Sequence, residues 1–309
     1  MRANAIDTKG PTSLLFKSPW GFGKTLAAAS FALSGPTYLA YWDKKKPVEL
    51  KTYFSKFGAK GRTILDNLEY DVFGAHNAGK YLDKIISMID DCRYTAFITD
   101  SVTNLTSGAV NWSLGFDAKG KPQPKRADNP QMIIPDWDEY KTETSLASQS
   151  LDLCRTLPCH IIWTAHPVPG IKLEGSGSSM RVTKVNSIVT YGSKVAGIVP
   201  GQFTEIYQFI KTADYSTSPV SIRYKCSTEA VGDDYAKTAL GLPQELDFTD
   251  RLFYEVWLEA LQQVEEETKK ENTDELKPEL VSTVQPSINP FANRPTNQKK
   301  WNPEKGDYE

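Results

Sequence analysis

Long apolar runs are missing from this chain. No stretch approaches the length that crosses a bilayer, and the opening Met1-Arg-Ala-Asn-Ala-Ile-Asp7 lacks the apolar core of a signal peptide. No membrane partner is expected, and a cytoplasmic location is. Cysteine is scarce as well: Cys92, Cys154, Cys159 and Cys226 form no C-x-x-C pair, and the first three sit in or beside apolar segments, as reduced core thiols do. That pattern argues against structural zinc. An excess of either charge is also absent, since the formal net charge is only -2. The chain as a whole exerts no attraction on nucleic acid, so any contact with DNA has to come from local basic segments. What is present is a 39% hydrophobic content in 309 residues, enough core for one large α/β domain or two small ones.

The most informative stretch is Thr12-Ser-Leu-Leu-Phe-Lys-Ser-Pro-Trp-Gly-Phe-Gly-Lys-Thr25, followed by the helix-forming run Leu26 to Leu33. It reads as a strand, a phosphate-cradling loop and a helix in succession. The loop residues Ser18, Pro19, Trp20, Gly21, Phe22, Gly23, Lys24 and Thr25 each have a place in ATP binding. Gly21 and Gly23 let the backbone wrap around phosphates, and amides near the helix N-terminus point at them. Lys24 reaches the β and γ oxygens, and the Thr25 hydroxyl ligates Mg²⁺. Ser18 stands where the G-x-x-x-x-G-K-[ST] pattern has its first glycine, which a small residue with negative φ can fill.

Further along, Thr37 to Trp42 is rich in β-formers and ends at Asp43, before the break Lys44-Lys-Lys-Pro47. Leu82, Ile85, Ile86 and Ile89 have the spacing of an amphipathic helix over 78–93, leading into a strand over 95–99. Pro135-Asp-Trp-Asp-Glu139 reads as a capping box, with Asp136 as N-cap of a long helix to about Thr156. His160 to Thr164 is a near-continuous apolar run, as in a strand covered on both faces. This alternation predicts an α/β fold with a mainly parallel sheet flanked by helices. Strands over 203–211 and 220–224 are expected as an antiparallel extension at its edge, followed by an amphipathic helix over 250–264. From Glu265 the chain turns charged and Pro/Asn-rich, the composition of a disordered tail over 265–309.

Two further pieces fit the loop. Phe97-Ile-Thr-Asp100-Ser101 ends a strand in a carboxylate, placing Asp100 to hold the Mg²⁺ water shell. At the end of the next strand, Trp163-Thr-Ala-His166 offers His166 as a polar group facing the γ-phosphate, because ligands bind at the carboxyl ends of parallel strands.

On these residues the chain resembles the RecA-like core, and more closely the phage-encoded ATP-binding proteins of that superfamily, some of which act in single-strand annealing and recombination. The resemblance covers roughly residues 10 to 250. Its carriers are Ser18 to Thr25, Ile98-Thr-Asp-Ser-Val102, Asp136-Trp-Asp-Glu-Tyr140, Thr164-Ala-His166, Pro200-Gly-Gln-Phe-Thr-Glu205 and Tyr235-Ala-Lys-Thr-Ala-Leu-Gly-Leu-Pro243. It implies a RecA-like P-loop NTPase domain over 1–264, binding ATP and Mg²⁺, with turnover in a homo-oligomeric filament or ring on single-stranded DNA. It also raises contact with a single-strand-binding protein through the tail.

The sequence departs from that pattern in two places. The glutamate usual after the second strand is missing, Asp43 being followed by Lys44, Lys45 and Lys46, so the catalytic base falls to Asp43 or Glu49, or hydrolysis is slow. The arginine of related phage proteins after the Lys-Thr of the last carrier is missing too. A cation acting on a neighbouring subunit's nucleotide would be Lys237, Lys225 or Arg223. The loops expected to meet DNA are both net positive. One, over 113–135, carries Lys119, Lys121, Lys125 and Arg126; the other, over 168–194, carries Lys172, Arg181, Lys184 and Lys194, with Tyr191 or Met180 for stacking or wedging contacts. Other readings of the same residues are a motor or loader for replication or packaging, and a nucleotide-binding scaffold without turnover.

Overall fold

The computed structural model describes residues 10–43, 46–115, 135, 137–174, 181–216, 218–230, 236–275, 301–302 and 307–308; the side chains of 169–186 and beyond 270 lie outside the described set. The chain divides into two compact units, Met1–Glu265 and Glu266–Glu309.

The first unit is built on an eight-stranded sheet. Its strands are β1 (Ser13–Lys17), β2 (Thr37–Tyr41), β3 (Leu68–Val72), β4 (Ala96–Asp100), β5 (His160–Ala165), β8 (Glu205–Asp214), β9 (Ser221–Ser227) and β10 (Glu245–Asp247). They lie in the order β10-β9-β8-β1-β5-β4-β2-β3. From β8 through β3 every pairing is parallel, and only the β8–β9 and β9–β10 pairings are antiparallel.

The central strands are buried on both faces, and the period-2 alternation sends successive residues to opposite layers. Leu15 of β1, Phe97 of β4 and Ile161 and Trp163 of β5 enter one core with helices α4 (Ala78–Ser87), α5 (Val102–Ser113) and α6 (Trp137–Cys154). Leu14 and Phe16 of β1, Ala96 and Ile98 of β4 and Ile162 of β5 enter the other. There they meet α1 (Lys24–Ala29), α2 (Val48–Phe54), α3 (Gly58–Asn67) and α8 (Phe253–Glu275). Phe16 anchors α8 to the sheet, its ring lying 5.3 Å from that of Phe253 at 76°. No helix among the described residues is long and apolar enough to cross a membrane.

Several expectations are corrected. The segment over 168–194 is not an irregular loop: it forms a separate antiparallel pair, β6 (Pro167–Glu174) with β7 (Arg181–Ile188), followed by the short α7 (Ser193–Ile198). Val182, Thr183, Val185 and Ile188 are β-branched, which suits a strand better than a coil. The strand over 205–214 is not part of the antiparallel edge on its inner side, because it pairs in parallel with β1. The helix expected over 78–93 ends at Ser87, and the last helix continues past Glu265 through Glu275. Within the second unit two short strands, β11 (Trp301–Asn302) and β12 (Asp307–Tyr308), pair with each other, where only a structureless tail is expected. The N-cap candidate Asp136 lies outside the described residues.

Candidate phosphate-binding site

The loop between β1 and α1 is shaped by two glycines. Gly21 and Gly23 have φ of 76° and 89°, in the left-handed region that side-chain-bearing residues avoid. Gly23 opens α1 as its N-cap, with no side-chain hydrogen bond closing the helix end. The parallel pairing of β1 with β5, and of β5 with β4, brings the carboxyl ends of these strands side by side, and the sequence-predicted residues meet there.

Lys24 folds back into its own loop. Its ammonium donates to the carbonyl of Ser18 at 2.6 Å, to Ser18 Oγ at 3.2 Å and to the carbonyl of Pro19 at 3.1 Å, and lies 3.3 Å from Nδ1 of His166. Burial pulls its pKa down to about 8, with partial opposition from the Asp100 carboxylate. Ser18 is fully buried, and its hydroxyl gives Lys24 an acceptor that a glycine could not supply. The departure from the motif therefore has a structural use.

Asp100 is held at the end of β4 by two hydroxyls. Thr25 Oγ1 donates to Oδ2 at 2.6 Å, and Thr164 Oγ1 of β5 donates to Oδ1. Burial raises the Asp100 pKa, while the Thr164 and Thr25 hydrogen bonds and Lys24 act the other way. His166 also approaches the Ser18 carbonyl through Nδ1 at 3.2 Å, and burial together with Lys24 pushes its pKa down to about 4. The ring is therefore neutral near pH 7. Trp20, 77% exposed, lies over it with ring centroids 4.7 Å apart.

These groups open into a cavity of about 770 Å³. Asp43 and Glu49 both line it, and Glu49 accepts a hydrogen bond from the Tyr41 hydroxyl at 3.2 Å. The three proposed trans-acting cations lie elsewhere. Arg223 Nε donates to Asp214 at 2.8 Å and Lys225 Nζ to Glu245 at 2.6 Å, both in ion pairs between β9 and its neighbouring strands. Lys237 pairs through its backbone with Ile206. Partly exposed ion pairs contribute little and exchange readily.

Of the basic candidates for DNA, Lys119, Lys121, Lys125 and Arg126 lie outside the described residues, as does Met180. Lys172, Arg181 and Lys184 fall in the β6–β7 hairpin, where Lys172 is opposite Thr183, Arg181 opposite Glu174 and Lys184 opposite Ile171. Both ends of this hairpin are fastened to the site: Pro167 follows His166 in sequence, and the Val189 amide donates to the His166 carbonyl at 2.7 Å. Thr103 of α5, one turn after Asp100, donates its hydroxyl to the Val189 carbonyl at 2.8 Å.

Sequence reasoning missed several neighbours of this site. The aromatic wall formed by Tyr53, Phe57, Tyr224 and Phe248 comes from α2, the turn after it, β9 and the segment after β10, and no local motif links those positions. Away from this cavity, the buried Glu143 of α6 accepts from the Gly192 amide at 3.0 Å; a carboxylate in an apolar helical stripe is its signal in the sequence. Compared with protein-family models and with curated proteins, the chain matches none.

Proposed function

We propose that this chain is a Mg²⁺-dependent ATPase of the RecA-like P-loop type that acts as a homo-oligomer on single-stranded DNA, in recombination or annealing. The observation that carries the reading is the convergence at one point of Thr25, Asp100, Lys24 and His166, which come from α1, β4 and the end of β5. The strand order, with β5 between β1 and β4, supports it. The phage setting rests on the sequence resemblance.

The residues fit the ligands asked of them. A hydroxyl and a carboxylate 2.6 Å apart are the hard oxygen donors that suit Mg²⁺, which otherwise keeps waters and takes phosphate oxygens. Thr25 and Asp100 would hold the ion, which when bound supplies positive charge against the phosphate oxygens of the nucleotide. Lys24 now donates to neutral acceptors of its own loop, and phosphate oxygens are stronger acceptors for an ammonium. Asp43 and Glu49 both line the cavity, and one of them would take a proton from the attacking water.

The lowered Lys24 pKa gives a signed pH dependence. Below about pH 8 the free protein carries the ammonium, so nucleotide affinity is insensitive to pH through this group. Above it the free protein has lost the proton, and bound phosphate draws it back, so the dissociation constant rises toward tenfold per pH unit. Isothermal titration between pH 6.5 and 9.5 in buffers of different ionisation heat is expected to show proton uptake only in the upper part of the range. A flat profile throughout would mean that the free protein keeps the Lys24 proton across this range, against the lowered pKa.

The hairpin supports the DNA half of the proposal, because a basic β-ribbon fastened to His166 and Thr103 sits where the nucleotide's state can reach it. Replacing Lys172, Arg181 and Lys184 together by alanine is expected to weaken single-stranded DNA binding and to flatten its log–log salt dependence by about 2, at roughly 0.7 per lost phosphate contact. An unchanged slope in fluorescence anisotropy would take the hairpin out of the interface.

A further inference from the structure

The cavity that holds Lys24 and Thr25 has a second, apolar wall that phosphate and Mg²⁺ do not need. Tyr53 and Phe57 form one ring pair on it, with centroids 5.3 Å apart, and Tyr224 and Phe248 form another at 6.3 Å. The pairs come from parts of the chain distant in sequence, yet both reach the phosphate loop. A Cβ added at Gly23 would stand 3.9 Å from Tyr224 Cδ1, so the loop's last glycine lies directly against this wall. Phe22 and Leu26 line the same cavity. Tyr53, Phe57 and Tyr224 are packed against the core yet stay only partly buried, so each keeps ring surface toward the cavity. Thr249 and Asp250 add acceptors at its rim.

We infer that this wall is a nucleobase slot: it takes the purine ring of the nucleotide whose phosphates Lys24 holds. Aromatic rings beside a phosphate loop offer a base what it loses on leaving water, a π face to stack on and apolar surface to cover. A purine gains more from this than a pyrimidine because its ring system is larger. Asp250 and Thr249 can accept from the amino group of the base. The slot also gives α2 and its following turn a function, since they place Tyr53 and Phe57 at the cavity. This inference rests on the nucleotide reading of the phosphate loop.

The test compares ligands that share phosphates and differ in the base. Binding of ATP, CTP and inorganic tripolyphosphate, each with Mg²⁺, is measured by titration calorimetry for the wild type, Tyr53→Ala, Tyr53→Phe and Tyr224→Leu, with melting temperatures without ligand to confirm folding. The expected result is ATP binding about tenfold weaker in Tyr53→Ala, the size of one base–aromatic stacking contact, with tripolyphosphate unchanged. Tyr53→Phe keeps the wild-type affinity, and Tyr224→Leu follows Tyr53→Ala. The preference for ATP over CTP shrinks in both weakened variants. The slot is overturned if folded Tyr53→Ala binds ATP as the wild type does, or loses tripolyphosphate as much as ATP. A wild type that binds tripolyphosphate but gains nothing from the base overturns the slot and leaves the phosphate loop standing, whereas one that binds neither ligand overturns both.

Discussion

Lys24→Ala should abolish the stabilisation that ATP and Mg²⁺ give the wild-type protein. A ligand at a hundred times its dissociation constant stabilises the native state by about 2.7 kcal/mol, a shift of several degrees in a unit of this size. The variant should show none of it in a thermal melt with nucleotide. Without nucleotide it should melt close to wild type, for two effects oppose each other. Truncation strips the Ser18 and Pro19 carbonyls of their donor, but it also removes a buried ammonium whose charge burial disfavours. A variant that keeps the full nucleotide-induced shift would mean that the loop between β1 and α1 does not hold phosphate.

Asp100→Asn separates stability from activity in opposite directions. Burial raises the Asp100 pKa above its ordinary value, so the folded state binds more protons than the unfolded state between the two values. Stability contributed by this group is therefore present at acid pH and falls as pH rises through that window, and at pH 7 the ionised side chain is a net cost. The isosteric amide removes the charge and leaves one oxygen to accept from Thr25 or Thr164. The variant should melt at or above the wild-type temperature at pH 7. ATP turnover should fall by about 10²–10³, the loss found when a single charge-stabilising group is removed from an active site. Nucleotide affinity in the absence of Mg²⁺ should be retained. Lower stability with intact turnover would make Asp100 a structural carboxylate.

The parts of this site legible in the sequence are those whose chemistry is set by neighbours along the chain. The two glycines before Lys24 force the loop's turn, and Asp100 and His166 end apolar strands, so a reader of sequence can place each at the carboxyl edge of a parallel sheet. What stayed hidden is what only the tertiary fold brings together. Thr164 bonds Asp100 because β5 packs beside β4, and Tyr53 meets the same cavity as Tyr224 because α2 and β9 both approach α1. The edge strand β3 leaves little signal in the sequence, since Leu68-Glu-Tyr-Asp-Val72 is mainly polar and lies on an exposed edge. The sequence of the β6–β7 hairpin looks like a loop because Pro169, Gly170 and the Gly-Ser run break a strand pattern that its β-branched second half restores. The last helix outruns the change in composition at Glu265 because Glu, Lys and Gln are good helix formers once an apolar stripe from Phe253 to Leu261 has fixed the first turns.

The central claim joins a nucleotide site to a DNA-binding hairpin through His166 and Thr103, so the decisive measurement is steady-state ATP hydrolysis by the wild-type protein with and without a single-stranded oligonucleotide. Lys24→Ala serves as the blank. The account predicts Mg²⁺-dependent turnover that rises when DNA is added, with the rise reduced in the Lys172, Arg181 and Lys184 alanine variant. Turnover of the same rate with and without DNA would contradict it, and ATP binding without any turnover would make the protein a nucleotide-gated scaffold.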